Sequence, residues 1–304
     1  MPTGPDLRPR TVGELLDGSF FLYRRYFGRF LLVATLVSLP TLVVAGLTAE
    51  KSTEILRQAV DAWFQSVRHP EPDPFKAMMN QPAFDPEFQM MSVIAGALQS
   101  LSRGAATATM AVATAFAIRR EAMPGALAIV KRALPRIPAA VLAYAFHSTF
   151  GFLIVCCPPI GIIMMVLLTP IPALIMFEQG AVERELRSHL PGGPFGTLLK
   201  ICTLPLAQLL DGTLRSLTLS WHAATVARGT LYVFFVYLFV GFFVQAASGG
   251  VSALIGSESA WFWINHYAEV VFLPVVGISV TLWYIDLRIR REGADLLQDE
   301  IALA

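Results

Sequence analysis

Charged residues and cysteines are both scarce in this chain, and each shortage excludes classes of protein. Only 15% of the 304 residues are charged, whereas 55% are hydrophobic, and the mean hydropathy is +0.59. A soluble domain of this length carries more charge on its surface, so the composition indicates surface that faces lipid. The net charge of +1 provides no overall attraction to a polyanion, and we exclude nucleic acid as a partner.

Motifs for catalysis and for metal binding are also missing. The three cysteines, Cys156, Cys157 and Cys202, form no CxxC pair and no Cys/His spacing, so neither a disulfide framework nor a zinc site is predicted. No stretch matches G-x-S-x-G, H-E-x-x-H, G-x-G-x-x-G or the Walker A pattern. The sequence therefore predicts a protein that is not an enzyme and that binds no cofactor.

Long apolar runs are what the sequence has in abundance. A helix needs roughly 20 apolar residues to cross the hydrocarbon core of a bilayer. Six runs approach this length, and they are Phe27 to Ala49, Leu98 to Ile118, Ile137 to Cys156, Ile160 to Phe177, Leu231 to Ile255 and Val270 to Ile285. Because Pro158 and Pro159 favour a tight turn, they separate the third run from the fourth. We predict an all-α fold, a polytopic membrane helical bundle with about six transmembrane helices.

Basic residues are grouped beside alternate apolar runs, which predicts the orientation of the bundle. The groups are Arg8, Arg10, Arg24, Arg25 and Arg29 before the first run; Arg119, Arg120, Lys131, Arg132 and Arg136 after the second; and Arg288, Arg290 and Arg291 after the last. Connections rich in Lys and Arg stay in the cytoplasm. We therefore expect a multi-pass protein with both termini in the cytoplasm.

The whole chain, residues 1–304, reads as one integral membrane domain with amphipathic segments between the spans. Three cytoplasmic segments, 11–29, 125–136 and 214–228, each end in arginine and are predicted to be interfacial helices, which suggests three repeated units. Residues 50–91 are predicted to be an extracytoplasmic loop with an amphipathic helix. Residues 181–213 interrupt the repeat and are predicted to be a cytoplasmic insert with a short helix and an interfacial segment.

Three ionisable residues within or beside the runs are candidates for function, because charge inside a membrane is costly. His147 suits a proton relay or a ligand contact, or a hydrogen bond to a neighbouring helix, which we favour. Arg103 suits capture of a substrate anion, or a side chain that extends to the interface. Glu178 is expected to pair with Arg119, Arg228 or another cation at the inner surface.

Arg24, Arg25 and Arg29 are predicted to face lipid. They are interleaved with Tyr23, Tyr26 and Phe27, and basic and aromatic residues together suit an interface with anionic headgroups.

Two segments resemble a known family. They are Thr11-Val-Gly-Glu-Leu-Leu-Asp-Gly-Ser-Phe20 with Tyr23-Arg-Arg, and Tyr284-Ile-Asp-Leu-Arg-Ile-Arg-Arg-Glu-Gly-Ala-Asp295. Together they are similar to the membrane-domain family named after glycerophosphoryl diester phosphodiesterases, as is Arg215-Ser-Leu-Thr-Leu219. The resemblance implies a stand-alone bacterial membrane module in the cytoplasmic (inner) membrane. The catalytic domain and its motifs are absent, so no catalytic residue is carried over. The insert at 181–213 departs from the family's pattern.

The C-terminal motif has a physical interpretation of its own. Asp286 and Arg290 are four residues apart, which places an acid and a base on one helix face. The pair either terminates the last helix or belongs to a lock with the N-terminal segment. In such a lock Asp286 or Glu292 pairs with an arginine of that segment, or Glu14 and Asp17 pair with Arg288 and Arg291.

Three hypotheses for function follow. The first is a non-catalytic membrane module that binds membrane lipids or an envelope partner protein through its cytoplasmic interfacial helices. The second is a transporter or lipid-translocating protein that uses His147 and Arg103. The third, an intramembrane enzyme, requires acids and histidines to meet in one cavity.

Overall fold

The computed structural model describes residues 9–44, 46, 86–119, 122–189, 193–255 and 258–292. Within them every regular element is a helix, which confirms the all-α prediction. The helices are α1 (Val12–Arg25), α2 (Phe27–Val44), α3 (Pro86–Ile118), α4 (Ala126–Ala133), α5 (Ile137–Cys156), α6 (Pro158–Leu168), α7 (Ile171–Phe177), α8 (Ala181–His189), α9 (Gly193–Ser220), α10 (Ala223–Ile255) and α11 (Glu258–Glu292). A 3₁₀ turn, Leu134–Arg136, joins α4 to α5.

Five helical stretches of the described residues are long and apolar enough to cross a membrane. They are Phe27–Val44, Ser100–Ile118, Pro159–Phe177, Ala223–Val244 and Trp263–Glu292. Each overlaps one of the predicted runs. The remaining run forms α5, a helix of 20 residues that is not among the five, so a count of about six spans stays a prediction.

The five stretches differ in how deeply they lie in the bundle. Ser100–Ile118 and Trp263–Glu292 are each 78% buried, whereas Phe27–Val44 is 28% buried and Ala223–Val244 is 21% buried. α3 and α11 are therefore the central helices. On the peripheral helices apolar side chains point outward, among them Leu32, Leu39, Phe234 and Phe242, as suits a surface in contact with lipid.

Aromatic stacking and small residues hold the centre together. Trp283 of α11 stacks on Tyr232 of α10, and Tyr284 stacks on Phe177 at the end of α7, both with ring centroids 5.6 Å apart. A methyl group added at Gly104 would lie 2.6 Å from the Cα of Val141, so α3 and α5 touch backbone to backbone there. Small residues permit this close approach between membrane helices.

The break predicted at the paired prolines is present. Cys157 leaves helical geometry with φ −148° and ψ 74°, and Pro158 and Pro159 occupy the first positions of α6. Proline lacks an amide hydrogen, and the first turn of a helix does not need one. α6 ends at Leu168, Pro170 directly precedes α7, and Pro172 lies in the first turn of α7.

The three predicted interfacial helices have different outcomes. Residues 11–29 contain α1, which ends at Arg25 before α2 begins, and residues 125–136 form α4 and the 3₁₀ turn. The prediction for 214–228 is wrong, because residues 214–220 complete α9 and 223–228 begin α10. The apolar spacing of Leu206, Leu210 and Leu214 continues across the predicted boundary, so the helix continues with it to Ser220.

The other two predicted segments also change. The insert 181–213 consists of the short helix α8 and most of α9, which runs unbroken through Pro205 and packs against α5, α7 and α8. Residues 47–85, with the amphipathic helix predicted in the loop, lie outside the described residues. α3 begins at Pro86, well before the predicted start at Leu98.

Side-chain contacts to main-chain carbonyls gather the basic groups at one end of the molecule. Arg29 donates to Met123, Arg136 to Ile175, and Arg291 to Leu219 and Trp221. These bonds join the start of α2, the loop before α4, the end of α7, the junction of α9 with α10, and the end of α11. We call this region the arginine-rich end.

Candidate functional site at the arginine-rich end

Two acids and two bases from three parts of the chain meet at the arginine-rich end. They are Glu178 after α7, Arg215 on α9, and Arg288 and Glu292 on α11, and we call them the charge tetrad. Arg215 Nε lies 3.1 Å from Glu178 Oε2, and its Nη2 donates to Glu292. Arg288 Nη2 lies 2.7 Å from Glu292 Oε2, and its Nη1 lies 3.6 Å from Glu178 Oε1. Each acid is therefore shared by both bases.

The charge tetrad is partly enclosed and electrically balanced. The side chain of Arg288 is only 4% exposed, and Glu178 and Glu292 are 18% and 16% exposed. Tyr284 adds a bond of 2.9 Å from its hydroxyl to Glu178 Oε1 and accepts one of 3.2 Å from Arg288. Burial of charge requires such pairing and hydrogen bonding, so the tetrad joins α7, α9 and α11 at one point.

A second cluster joins the segment before α1 to the last turns of α11. Asp286, which is 2% exposed, accepts a bond of 2.7 Å from the main-chain amide of Arg10 and one of 2.6 Å from Arg290 Nε. Arg290 donates in turn to the carbonyl of Arg10. Asp286 and Arg290 thus lie on the same face of α11, as predicted. Both bond the main chain of Arg10, just before α1.

The acids and bases named for the side-chain lock make several contacts among the described residues. Glu292 pairs with Arg215 and Arg288, Arg291 donates to main-chain carbonyls, and the Glu14 carboxylate accepts from the amide of Thr11 at 2.7 Å. The Thr11 hydroxyl accepts from the Glu14 amide, which completes a capping box at the start of α1. A capped helix end satisfies amides locally, so Glu14 supports α1 itself.

α1 lies against the bundle through its buried face. Leu15, Ser19 and Tyr23 are buried, and the Tyr23 hydroxyl donates a bond of 2.5 Å to the carbonyl of Val271 on α11. Burial raises the pKa of Tyr23 to about 12, so the hydroxyl stays protonated and remains a donor at neutral pH. The opposite face of α1 is left outward.

The outward faces of α1 and α4 combine basic and apolar side chains. On α1 Arg24 and Arg25 are exposed, and the Arg25 guanidinium lies 5.9 Å from the Phe21 ring, which is itself 59% exposed. On α4 Lys131 is exposed near Leu127, which is 72% exposed. Arg29 is exposed as well, and it donates to Met123, which ties α2 to the loop before α4.

A cavity of about 370 Å³ lies between the end of α7, the start of α8, and α9. Asp211 on α9 caps α8 by accepting from the amides of Val182 at 3.2 Å and Glu183 at 2.8 Å. The Glu183 side chain, 1% exposed, accepts from Arg187 at 2.7 Å and from Gln208 at 3.0 Å. These bonds hold α8 against α9, and Glu178 and Arg215 of the charge tetrad line the same cavity.

A smaller cavity of about 240 Å³ lies where α3 ends, beside the junction of α4 with α5 and the end of α7. Three arginines line it with six apolar residues, and the set is Val112, Ala115, Phe116, Arg119, Arg132, Pro135, Arg136, Met176 and Phe177. We call it the arginine cavity.

The two candidates in the middle of the chain are engaged with neighbours. His147 is 7% exposed, and its Nε2 donates to the carbonyl of Met165 on α6 at 3.2 Å. Arg103 Nε lies 2.6 Å from Glu269 Oε1, and its Nη1 donates to the Tyr144 hydroxyl at 3.1 Å. Neither residue lines the two cavities described above.

The sequence did not assign several of these partners. Glu178 pairs with Arg215 and Arg288, which the prediction covered only as other cations and did not name. The sequence did indicate that Arg215 is paired, because an arginine among Leu214, Leu217 and Leu219 is costly without a partner. Nothing in the sequence pointed from Arg103 to Glu269, because that pair depends on how α3 packs against α11.

Comparisons of this chain with protein-family models, with curated proteins and with solved structures found no match. The resemblance to the membrane-domain family therefore stays a prediction.

Proposed function

We propose that this protein is a non-catalytic, multi-pass module of the bacterial cytoplasmic membrane that binds anionic lipid headgroups at its arginine-rich end. Both termini and this end lie in the cytoplasm. The observation that carries the proposal is the outward face of α1, where Arg24 and Arg25 stand beside exposed Phe21 and Phe27. Basic and aromatic residues side by side at the end of a span suit the headgroup region of an anionic leaflet.

Two further features support this orientation and role. The basic groups that the positive-inside rule assigns to the cytoplasm lie together, since Arg10, Arg136 and Arg291 all bond at the arginine-rich end. The charge tetrad and the Asp286 cluster engage their acids with arginines, an arrangement that serves to fix helices rather than to transfer protons.

Lipid retention measured by native mass spectrometry tests the proposal. The full chain is purified in detergent and mixed with equal amounts of phosphatidylglycerol and phosphatidylcholine. We expect it to retain phosphatidylglycerol preferentially, and we expect the double variant Arg24→Gln/Arg25→Gln to lose much of that preference. The double variant Arg184→Gln/Lys200→Gln removes the same charge from α8 and α9 and serves as the control. Equal retention of both lipids by the unmodified chain would refute the proposal.

Lipid translocation is a second candidate, and one observation favours it. Arg103 and Glu269 form an ion pair between two stretches that are apolar enough to span a membrane, where charge is costly. A flux assay in sealed liposomes compares the unmodified chain with Arg103→Ala and His147→Ala. Equal flux in all three would remove both residues from consideration.

A further inference from the structure

The arginine cavity has the composition of an anion site. Arg119 at the end of α3, Arg132 on α4 and Arg136 in the 3₁₀ turn come from three places in the chain and reach one space. Among the described residues that line it, none is acidic. Three guanidinium groups around a space without a carboxylate create a strongly positive local potential.

Two of the arginines are held by the protein in a way that leaves donors available. Arg136 uses Nη1 to bond the carbonyls of Ile175 at 2.5 Å and Glu178 at 3.4 Å, while its Nε and Nη2 have no hydrogen-bond partner among the described residues. The Arg132 guanidinium lies over the Phe116 ring, 5.3 Å from its centroid. Stacking on an aromatic face orients a guanidinium and leaves its edge free to donate.

The surroundings of Arg136 favour an added negative charge. Burial lowers the pKa of Arg136, Glu183 partly offsets this effect, and the positive charge of Arg187 lowers the pKa further. Burial and the charge of Arg187 both destabilise the charged form of Arg136. An anion placed beside the guanidinium would stabilise that form.

The remaining lining identifies the source of the anion as a lipid. Val112, Ala115 and Phe116 belong to the apolar stretch Ser100–Ile118, and Met176 and Phe177 belong to Pro159–Phe177. One side of the cavity is therefore continuous with membrane-spanning helices, and the arginines stand where a headgroup would lie. The volume of about 240 Å³ is below the range of roughly 300–1,000 Å³ for drug-sized ligands, so it fits a headgroup rather than a whole lipid.

We propose that the arginine cavity is a specific binding site for the phosphate group of an anionic membrane lipid, held by Arg119, Arg132 and Arg136. Guanidinium groups match the oxygens of a phosphate in pairs, which gives geometric selectivity beyond charge. This inference rests on the proposed function and deepens it, because it assigns one defined site within a surface that otherwise attracts anionic lipid in general.

Neighbouring residues on α4 provide a matched pair of variants. Both side chains are exposed, but Arg132 lines the cavity and Lys131 does not. Both carry one positive charge. Arg136 is left unchanged, because it also bonds the carbonyls at the end of α7.

The experiment measures retention of dioleoylphosphatidylglycerol by the full chain in detergent, with dioleoylphosphatidylcholine as the reference lipid. We expect Arg132→Gln and Arg119→Gln each to weaken retention by about tenfold, the size expected for loss of one charge-assisted hydrogen bond. Lys131→Gln should weaken retention far less, because Lys131 contributes only to the general attraction of the surface. Arg132→Lys keeps the charge but loses the paired donors of the guanidinium, so it should retain an intermediate amount of lipid.

The remaining outcomes separate this inference from the proposed function. Equal losses in Arg132→Gln and Lys131→Gln would overturn the site while leaving general attraction to anionic lipid in place. No preference for phosphatidylglycerol in the unmodified chain would overturn both. Glycerol 3-phosphate tests the other source of a phosphate ester: if it bound as tightly as the lipid and were lost in Arg132→Gln, the ligand would be a soluble ester and the lipid assignment would be wrong.

Discussion

Arg288 is the most enclosed charge of the tetrad, and its partners depend on it. It bonds Glu292 through two nitrogens, lies 3.6 Å from Glu178, and is only 4% exposed. If Arg288 were lost, Arg215 would be the one base of the tetrad left for two glutamates, and that side chain is 39% exposed. Removing one member of a buried charge network costs more than the network contributes, because it leaves a charge without compensation.

Replacing Arg288 by methionine is therefore expected to lower the free energy of unfolding by about 3–5 kcal/mol. The measurement is reversible unfolding in detergent, followed by tryptophan fluorescence. Arg291→Met is the matched control, because Arg291 is exposed and donates only to the carbonyls of Leu219 and Trp221 among described residues. Similar losses in both variants would contradict the account of the tetrad.

The contact between Asp286 and Arg10 leads to a second, more local prediction. Because its carboxylate accepts from the Arg10 amide at 2.7 Å, Asp286→Ala should release the main chain just before α1. Hydrogen exchange at the amides of Arg10 and Thr11 is expected to accelerate, while exchange in α5 stays unchanged. Unaltered exchange at Arg10 would show that the contact does not hold the segment in solution.

At the scale of helices, close packing depends on glycines in particular places. A methyl group at Gly104 would lie 2.6 Å from the Cα of Val141 and 2.9 Å from the carbonyl oxygen of Ala140, both backbone atoms of α5 that cannot move alone. At Gly241 on α10 a methyl group would meet nothing within 4 Å. The two positions form a natural pair for comparison.

Gly104→Ala is expected to destabilise the protein by about 1–3 kcal/mol, because α3 and α5 must separate. Gly241→Ala should be neutral or slightly stabilising, since alanine favours a helix over glycine. Thermal unfolding of both variants in one detergent provides the measurement. If Gly241→Ala were the more harmful change, the packing of α3 on α5 described here would be wrong.

The helices were predictable from the sequence where apolar length or proline determines them. Five predicted runs overlap stretches that can span a membrane, and the turn at Pro158 and Pro159 has a local cause. The segment 214–228 was mispredicted because its arginine and leucines fit either a separate helix or the end of α9. The apolar spacing of Leu206, Leu210 and Leu214 favours the second alternative, and the packing of α9 against α5 and α7 supports it.

The candidate site was predictable in part for the same reason. The pair Asp286 and Arg290 follows from helical spacing alone. The charge tetrad and the arginine cavity each require three distant parts of the chain to meet, and a single sequence gives the charges without their distances.

At the scale of the whole molecule, orientation in the membrane is the prediction that native cysteines can check. Cys157 is exposed at the turn between α5 and α6, and the basic connections predict that this turn lies on the outer side. In Cys156→Ser/Cys202→Ser, an impermeant maleimide added to intact spheroplasts should label Cys157. In a variant with all three cysteines replaced by serine, Asp17→Cys on α1 should react only after the membrane is opened. Labelling of both positions from the same side would contradict the orientation.

The central claim is that anionic lipid binds at the arginine-rich end, and photo-crosslinking tests it most directly. A photoactivatable phosphatidylglycerol is incorporated into membranes that contain the full chain, and crosslinked peptides are identified by mass spectrometry. The account predicts crosslinks concentrated in α1, α4 and the start of α2, and a weaker, even distribution for a matched phosphatidylcholine probe. Crosslinks that spread evenly with both probes, or that gather around Cys157 at the turn between α5 and α6, would contradict it.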